Sequence, residues 1–538
     1  MRALVTNLLA VSTGLVLSVG PSVTTVAANG DQQWPALRQH VAHGADIVVA
    51  LSGNFHRAVL TPPNSGSVCK AERSTTGNVQ VNCRAEDGSF VDSSQNETTI
   101  SAFGPKVVVG FNDDLVCCGA INFSGYSVST DSGRTFTDRG DVPWSPDVQP
   151  IGDPSLSHDD EGNFYYTSLA LSSFSGPTVD SLIALYEMPA GSNSFDRLSV
   201  PVNVGDSNIY FADKELLEVG RDGDGNRHFY ITWTFYTDSF VQGPVMLTDS
   251  TDGLHWRTIQ VSPNSPCEPA TPGSHAVPAG QTVYVSYVEK DPAACTSNLY
   301  STVGHQMMAS VDLARGRVTA VTAVAPTQGA GDAVVFCGFA PLEVIQTEPN
   351  HNIRLTEIPS STIDAHGTLY DIWNDRPAGP GGRNGNATRI YLSYSRDGNV
   401  TWSTPQVISG PTSPNFMNDR FQPWLVADED GLHAMWYERV QNPAGGPDLV
   451  RTDRADLSLA TKHQGPTAIN GGESPLSSTP FPVIDTGGGC YMGDYNQIAS
   501  NGHKRFVSWG DNRNTVTTTA GLVNEPDVFS HAYGGDRN

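Results

Sequence analysis

The chain has 538 residues, 38% of them hydrophobic, with 53 glycines and 36 prolines, a composition of many short strands and tight turns rather than of long helices. Its 31 lysines and arginines against 56 aspartates and glutamates give a formal charge of −25, which argues against nucleic acid and anionic membrane surfaces as partners. Length alone leaves room for several domains, and internal repetition decides the number.

Residues 1–28 read as a signal peptide: Arg2 is the basic start, LLAVSTGLVLSV the apolar core, and VAA before Asn29 a small-residue cleavage site. A secreted, extracellular protein with no membrane span is the expectation. Residues 29–94 form an N-terminal extension in which DIVVALSG (46–53) is a strand able to complete the last repeat. The eight cysteines suit disulfides in an oxidising compartment, with Cys69–Cys83 and Cys267–Cys295 as the nearest pairings; no CxxC or HxxxH spacing points to zinc.

From Gln95 onward the pattern becomes regular. Seven apolar-aromatic strands stop at a polar or charged residue: 107–113, 164–170, 229–235, 283–289, 369–375, 433–439 and 506–512. Each is preceded by a shorter strand, starting near 97, 153, 213, 275, 362, 422 and 494, and followed by one or two more. Such units, about 66 residues apart, cannot bury both faces alone, and radial packing solves the problem. The expected fold is therefore all-β: a seven-bladed β-propeller of four-stranded antiparallel blades over residues 95–538, with six blades as the alternative count.

Three hairpin turns share a form: Ser129-Thr-Asp131-Ser-Gly133-Arg-Thr-Phe136, Ser250-Thr-Asp252-Gly-Leu-His-Trp256 and Ser395-Arg-Asp397-Gly-Asn399-Val-Thr-Trp402. An aspartate that caps amides within its own turn makes the turn fasten itself. These turns resemble the Asp-box of the sialidase superfamily. The stretch from Gln95 to the C-terminus also resembles exported bacterial sialidase-like propellers, through Gln95-Asn96-Glu97, Gly152-Asp153-Pro154, Asp213-Lys214-Glu215, Pro423-Trp424-Leu425-Val426-Ala427-Asp428 and Gly493-Asp494-Tyr495-Asn496.

Strands within a blade alternate in direction, so first-strand starts and second-strand ends share one face. The Asp-box turns lie on the other face and are structural. The shared face collects the candidate catalytic residues Glu97, Asp153, Asp213, Asp494 and Tyr495 at first-strand starts, with Asp113 and Glu289 at second-strand ends. Beside them stand the candidate substrate-binding residues Trp373, Arg376, Arg420, Trp436, Arg439 and Arg513. Carboxyls that move protons, arginines that grip acids and aromatics that stack on rings suit a glycan. The superfamily resemblance implies Tyr495 as nucleophile, Glu289 as its helper and Asp113 as acid/base, although the first blade lacks the family's opening arginine motif. Lys214 is either an ion-pair partner or a substrate contact. Asp222-Gly-Asp224-Gly-Asn226 reads as a turn before it reads as a calcium loop. The expected function is a secreted, monomeric, sialidase-like glycoside hydrolase needing no cofactor or metal; a non-catalytic glycan- or protein-binding propeller and a polysaccharide lyase are the alternatives.

Overall fold

The computed structural model describes residues 69–70, 77–83 and 95–535, apart from 114–122, 173–177, 208, 238–242, 265–274, 295–302, 332, 338–339, 348–350, 378–386, 411–417, 441–445, 470–471, 484–490 and 519–520. Seven antiparallel blades stand in a ring. Their innermost strands are Gln95–Phe103, Ser155–His158, Tyr210–Arg221, His275–Ala279, Ser360–Ile363, Arg420–Asp428 and Gln497–Asn501. Each of these packs against the next, and the seventh returns to the first. The sequence-derived starts fall within three residues of these strands.

The second strands run from Lys106–Asp113 in blade 1 to Lys504–Thr518 in blade 7, and their aromatic residues supply much of the core. Tyr165, Tyr166, Tyr230, Tyr287, Tyr370, Trp436 and Trp509 are all fully buried between blades. Inner strands are also stitched side to side, hydroxyl to amide. Thr99 Oγ1 accepts from Leu156 N (2.9 Å), Ser155 Oγ from Leu217 N (2.9 Å) and Ser360 Oγ from Leu425 N (3.0 Å). Gln497 Oε1 accepts from Thr99 Oγ1 (2.6 Å), joining the last blade to the first.

The seam is closed a second time at the rim. The outer edge of blade 7 pairs with Val79–Gln80, so an N-terminal strand does join the C-terminal sheet; DIVVALSG lies outside the described residues. The cysteine pairings also fall largely outside them, although Cys83 itself is buried.

The three repeated turns fasten themselves. Asp131 accepts from Arg134 N, Thr135 N and Thr135 Oγ1, Asp252 from Leu254 N and His255 N, and Asp397 from Val400 N and Thr401 N. Asn399 takes the left-handed backbone (φ 71°), and its amide donates to Met308 O and Ser310 Oγ of the preceding blade, each at 3.0 Å. The turn at Asp222 is of the same self-capping kind: its carboxylate accepts from Asp224 N and Asn226 N, both at 2.9 Å.

One element has no counterpart in the repeat. Between blades 4 and 5 the strands Ala333–Cys337, Ala340–Thr347 and His351–Arg354 form a separate three-stranded sheet. Ile345 and Ile353 of this sheet, with Leu355 and Ile358 just beyond it, pack against Phe421, Tyr437, Met492 and Tyr495 from blades 6 and 7. The insertion thereby covers the middle of the ring.

Candidate active site

The inner strands begin with an unusual backbone. Glu97, Asp153, Lys214 and Gln422 have φ of 50°, 52°, 56° and 52°, a region that costs a non-glycine residue roughly 1–2 kcal/mol. In blades 1, 3 and 6 the residue sits in a break of register, between Asn96 and Thr99, Asp213 and Leu216, and Phe421 and Trp424. A bulge of this kind re-aims a side chain, and here it turns equivalent polar residues of four blades toward the axis. Gly493, at φ 88°, has to be glycine, because a Cβ there would lie 2.9 Å from Glu97 N.

Lys214 is the hub. Its Nζ lies 2.7 Å from Asp494 Oδ2, 2.8 Å from Asp153 Oδ2 and 3.2 Å from Glu97 Oε1, with every one of these side chains at most 4% exposed. Arg354, delivered by the inserted sheet, grips Asp494 with both arms, Nε at 2.8 Å from Oδ1 and Nη2 on Oδ2. Asn112 fixes the near side, donating to Glu97 Oε2 (3.0 Å) and accepting from Asp153 N (2.8 Å). Tyr491 lies under the Arg354 guanidinium at 4.6 Å.

Three carboxylates, Glu97, Asp153 and Asp494, thus contact Lys214, Asp494 also contacts Arg354, and Asp213 and Glu215 lie buried on either side of Lys214 in the chain. Burial raises Glu97 well above the usual range, and the charges of Asp153 and Asp494 add to it against the pull of Lys214. Burial also raises Asp153, against the pull of Lys214, and takes Asp213 up to about 6. Burial and Asp153 raise Glu215, whose two carboxyl oxygens find no hydrogen-bond partner beyond their own residue's amide among the described residues. Asp494 goes the other way: burial is outweighed by Arg354 and Lys214, which hold it ionised far into acid. Lys214 stays charged because Asp153, Asp494 and Glu97 outweigh its own burial. Beyond the hub the axial space continues as a cavity of about 170 Å³, lined by Ser155, Leu217, Thr362, Leu425 and Gln497 among others.

The structure therefore brings Glu97, Asp153, Asp213 and Asp494 to one centre. Tyr495 is there too, but its hydroxyl donates to Pro154 O (2.9 Å), and burial with the charge of Glu97 raises it well above the normal phenol range. That is the state of a structural tyrosine rather than of a nucleophile. Asp113 is held by Gln95 Nε2 (3.1 Å), and Glu289 lies across the strand pair from His305; neither contacts Lys214.

The candidate binding residues are committed elsewhere. Arg420 meets Glu438 and Glu473 at 3.0 Å, Arg439 meets Asp419 (2.7 Å) and Asp448 (3.1 Å), and Arg513 clasps Asp511. Arg376 donates to Gly329 O and lies 3.7 Å from Glu343. Trp436 is fully buried with its indole on Glu473, and Trp373 stacks on Tyr391. None of these rings offers an open platform in this structure. Glu438, Asp453 and Glu473 come within 4.8 Å of one another, the spacing of metal ligands, but Arg420 and Arg451 already supply positive charge there. Arg354, Tyr491 and Glu215 escape a reading based on repeats; the insertion that carries Arg354 repeats nothing.

No protein-family profile matches the chain, and no curated protein matches it in sequence. Among solved structures it is similar to the α-L-arabinofuranosidase Arb93A of Fusarium graminearum in complex with an iminosugar inhibitor (11% identity over 71% of this chain and 97% of that one, TM-score 0.42). It is also similar to the phage phi92 endosialidase (10%, 88% and 70%, 0.40) and to a mutant Trypanosoma rangeli sialidase displaying trans-sialidase activity (10%, 72% and 57%, 0.36). At these values the likeness carries nothing about chemistry.

Proposed function

We propose that the chain is a carbohydrate-active propeller, a glycoside hydrolase whose reaction centre is the axial cluster. The observation that carries this reading is the convergence of Glu97, Asp153 and Asp494 on one buried ammonium, where burial raises Glu97 while Arg354 and Lys214 hold Asp494 low. An acid beside a fixed anion is what glycosidic cleavage requires, one to protonate the leaving oxygen and one to meet the developing positive charge. Secretion, implied by the leader-like start, would place the protein among extracellular glycans.

A second reading, a binding propeller with the cluster as its structural hub, is favoured by burial: each hub side chain is at most 4% exposed. The lyase alternative fares worse, since Tyr495 is bonded to a carbonyl and Arg354 is saturated by Asp494. Incubation with arabinans, sialosides, uronate polymers and neutral glycans, following reducing ends and unsaturated products, separates the three. Hydrolysis that Glu97→Gln and Asp494→Asn both abolish in folded protein is the expected result. Absence of any product, with glycan binding retained, selects the binder.

A further inference from the structure

A cavity of about 300 Å³ lies at the seam of the ring, where the self-fastening turn at Asp131 in blade 1 meets the sheet of blade 7 and the strand Val79–Gln80. Gly133 lets the turn sit down on that sheet: at φ 76°, a Cβ there would lie 3.3 Å from Phe506 Cδ1 and 3.7 Å from Ala532 Cβ. Arg134, Lys504, His531 and Asn78 are among the residues that line the cavity, and no carboxylate among the described residues does. In a chain with 56 acidic residues against 31 basic ones, that lining is an exception. Asp131 of the same turn is spent on the turn's own amides. Lys504 Nζ donates to Ser132 O (3.1 Å) over the ring of Phe506, which leaves two of its three N–H groups for another acceptor. Arg134 is exposed, and its guanidinium has no partner among the described residues; only its backbone amide is engaged, on Asp131. Burial lowers His531, which is hydrogen-bonded to the Gly77 backbone, below the usual imidazole value, so the positive charge comes from Arg134 and Lys504.

We propose that this cavity binds a tetrahedral oxyanion, sulfate or phosphate, free or carried as an ester on a larger molecule. Two cations that face one space without a carboxylate repel each other, and an anion between them removes the repulsion. A guanidinium offers a planar fork for two oxygens and an ammonium a point charge for a third. A tetrahedral oxyanion satisfies both at once, whereas a carboxylate has only two oxygens to share. The volume is at the lower end of small-molecule sites, roughly 300–1,000 Å³, so an ester has room. Holding a turn carbonyl does not by itself define such a site. Lys106 starts the second strand of blade 1 as Lys504 starts that of blade 7, and it holds Ser192 O (2.6 Å) over Phe164 in the same way. There, however, the arginine on that turn, Arg139, is spent on Asn193 O (2.8 Å) and Ser194 Oγ (3.0 Å). At the seam Arg134 is left over.

An anion held here would tie the first blade to the last. The inference does not depend on the hydrolase reading, because none of the axial cluster lines this cavity and the readout is binding. Calorimetric titration of the full chain with sodium sulfate, sodium phosphate and a sulfated monosaccharide, each against sodium chloride of equal ionic strength, is expected to show saturable binding at one site. The thermal midpoint should climb with ligand concentration, as it does for any ligand of the folded state. Arg134→Ala and Lys504→Met should each weaken sulfate binding by roughly 10-fold or more. Lys106→Met, which removes the equivalent lysine contact without touching the cavity, should leave it unchanged. Arg134 is exposed, so its replacement tests the site even where Lys504→Met loosens the seam. Tighter binding of the sulfated sugar than of the free ion assigns the site to an ester, and equal binding to the free anion. Heats no larger than those of chloride, or wild-type affinity in Arg134→Ala, overturn the proposal.

Discussion

Replacing Lys214 by methionine removes the one ammonium shared by Asp494, Asp153 and Glu97 and leaves Arg354 as the remaining cation at the hub. Methionine keeps the apolar stem, so the perturbation is electrostatic. Breaking a buried ion pair by deleting one partner costs about 3–5 kcal/mol, because the abandoned charge stays buried. Here the loss has a pH signature. Glu97 and Asp153 already have raised values, and without the ammonium they take up protons more readily, so the deficit is largest near pH 8 and shrinks toward pH 5. Urea unfolding of wild type and variant at both values measures it, the midpoint reporting stability if the slope is unchanged. Adding Glu97→Gln to Lys214→Met should recover part of the loss, a coupling of about 0.5–3 kcal/mol expected of contacting residues. A variant within about 1 kcal/mol of wild type at both pH values would refute the assignment of Lys214 as hub.

Further outcomes follow from the same arrangement of charges and turns. Burial takes Asp213 up to about 6, so ionising it opposes folding as pH rises from its unfolded value near 3.8; Asp213→Asn should match wild type near pH 3.5 and exceed it in thermal midpoint at pH 7. His433, clasped by Asp428 (3.1 Å) and Asp456 (2.6 Å), is raised by those hydrogen bonds in spite of burial. Its contribution is therefore complete below its unfolded value near 6.5 and lost as pH rises through the folded one, so His433→Gln should destabilise at pH 5.5 and little at pH 9. Asn399→Ala should cost more than Asn399→Gly, since both lose the bonds to Met308 and Ser310 but alanine also carries the left-handed penalty of about 1–2 kcal/mol; denaturation midpoints decide, and neither change should alter glycan turnover.

The ring was legible because it repeats. Strand ends such as Trp373-Asn-Asp375 and Trp436-Tyr-Glu438, and turns such as Asp131 to Thr135, carry their own local chemistry, and a period too large for one sandwich forces radial packing. The first-strand acids were legible for the same reason, and alternation of strand direction placed them on one face. What topology does not give is which way a side chain is spent. Trp373, Trp436, Arg420, Arg439 and Arg513 have the residue types of a sugar site, yet each is used inside or between blades, on partners in other strands such as Glu473 and Asp419 or, for Arg513, on Asp511 two residues away, and residue type does not show which contact is made. Arg354 was illegible for the opposite reason: it arrives on an insertion whose short apolar strands imitate no blade, and only the fold shows that it reaches Asp494.

Neutron diffraction from crystals grown in D₂O at pH 5 tests the centre most directly. Density for a deuteron on Glu97 and on Asp213, a fully deuterated Lys214 ammonium and a bare Asp494 carboxylate is the expected pattern. A deuteron on Asp494, or none on Glu97, would contradict it and remove the acid–anion pair on which the proposed chemistry rests.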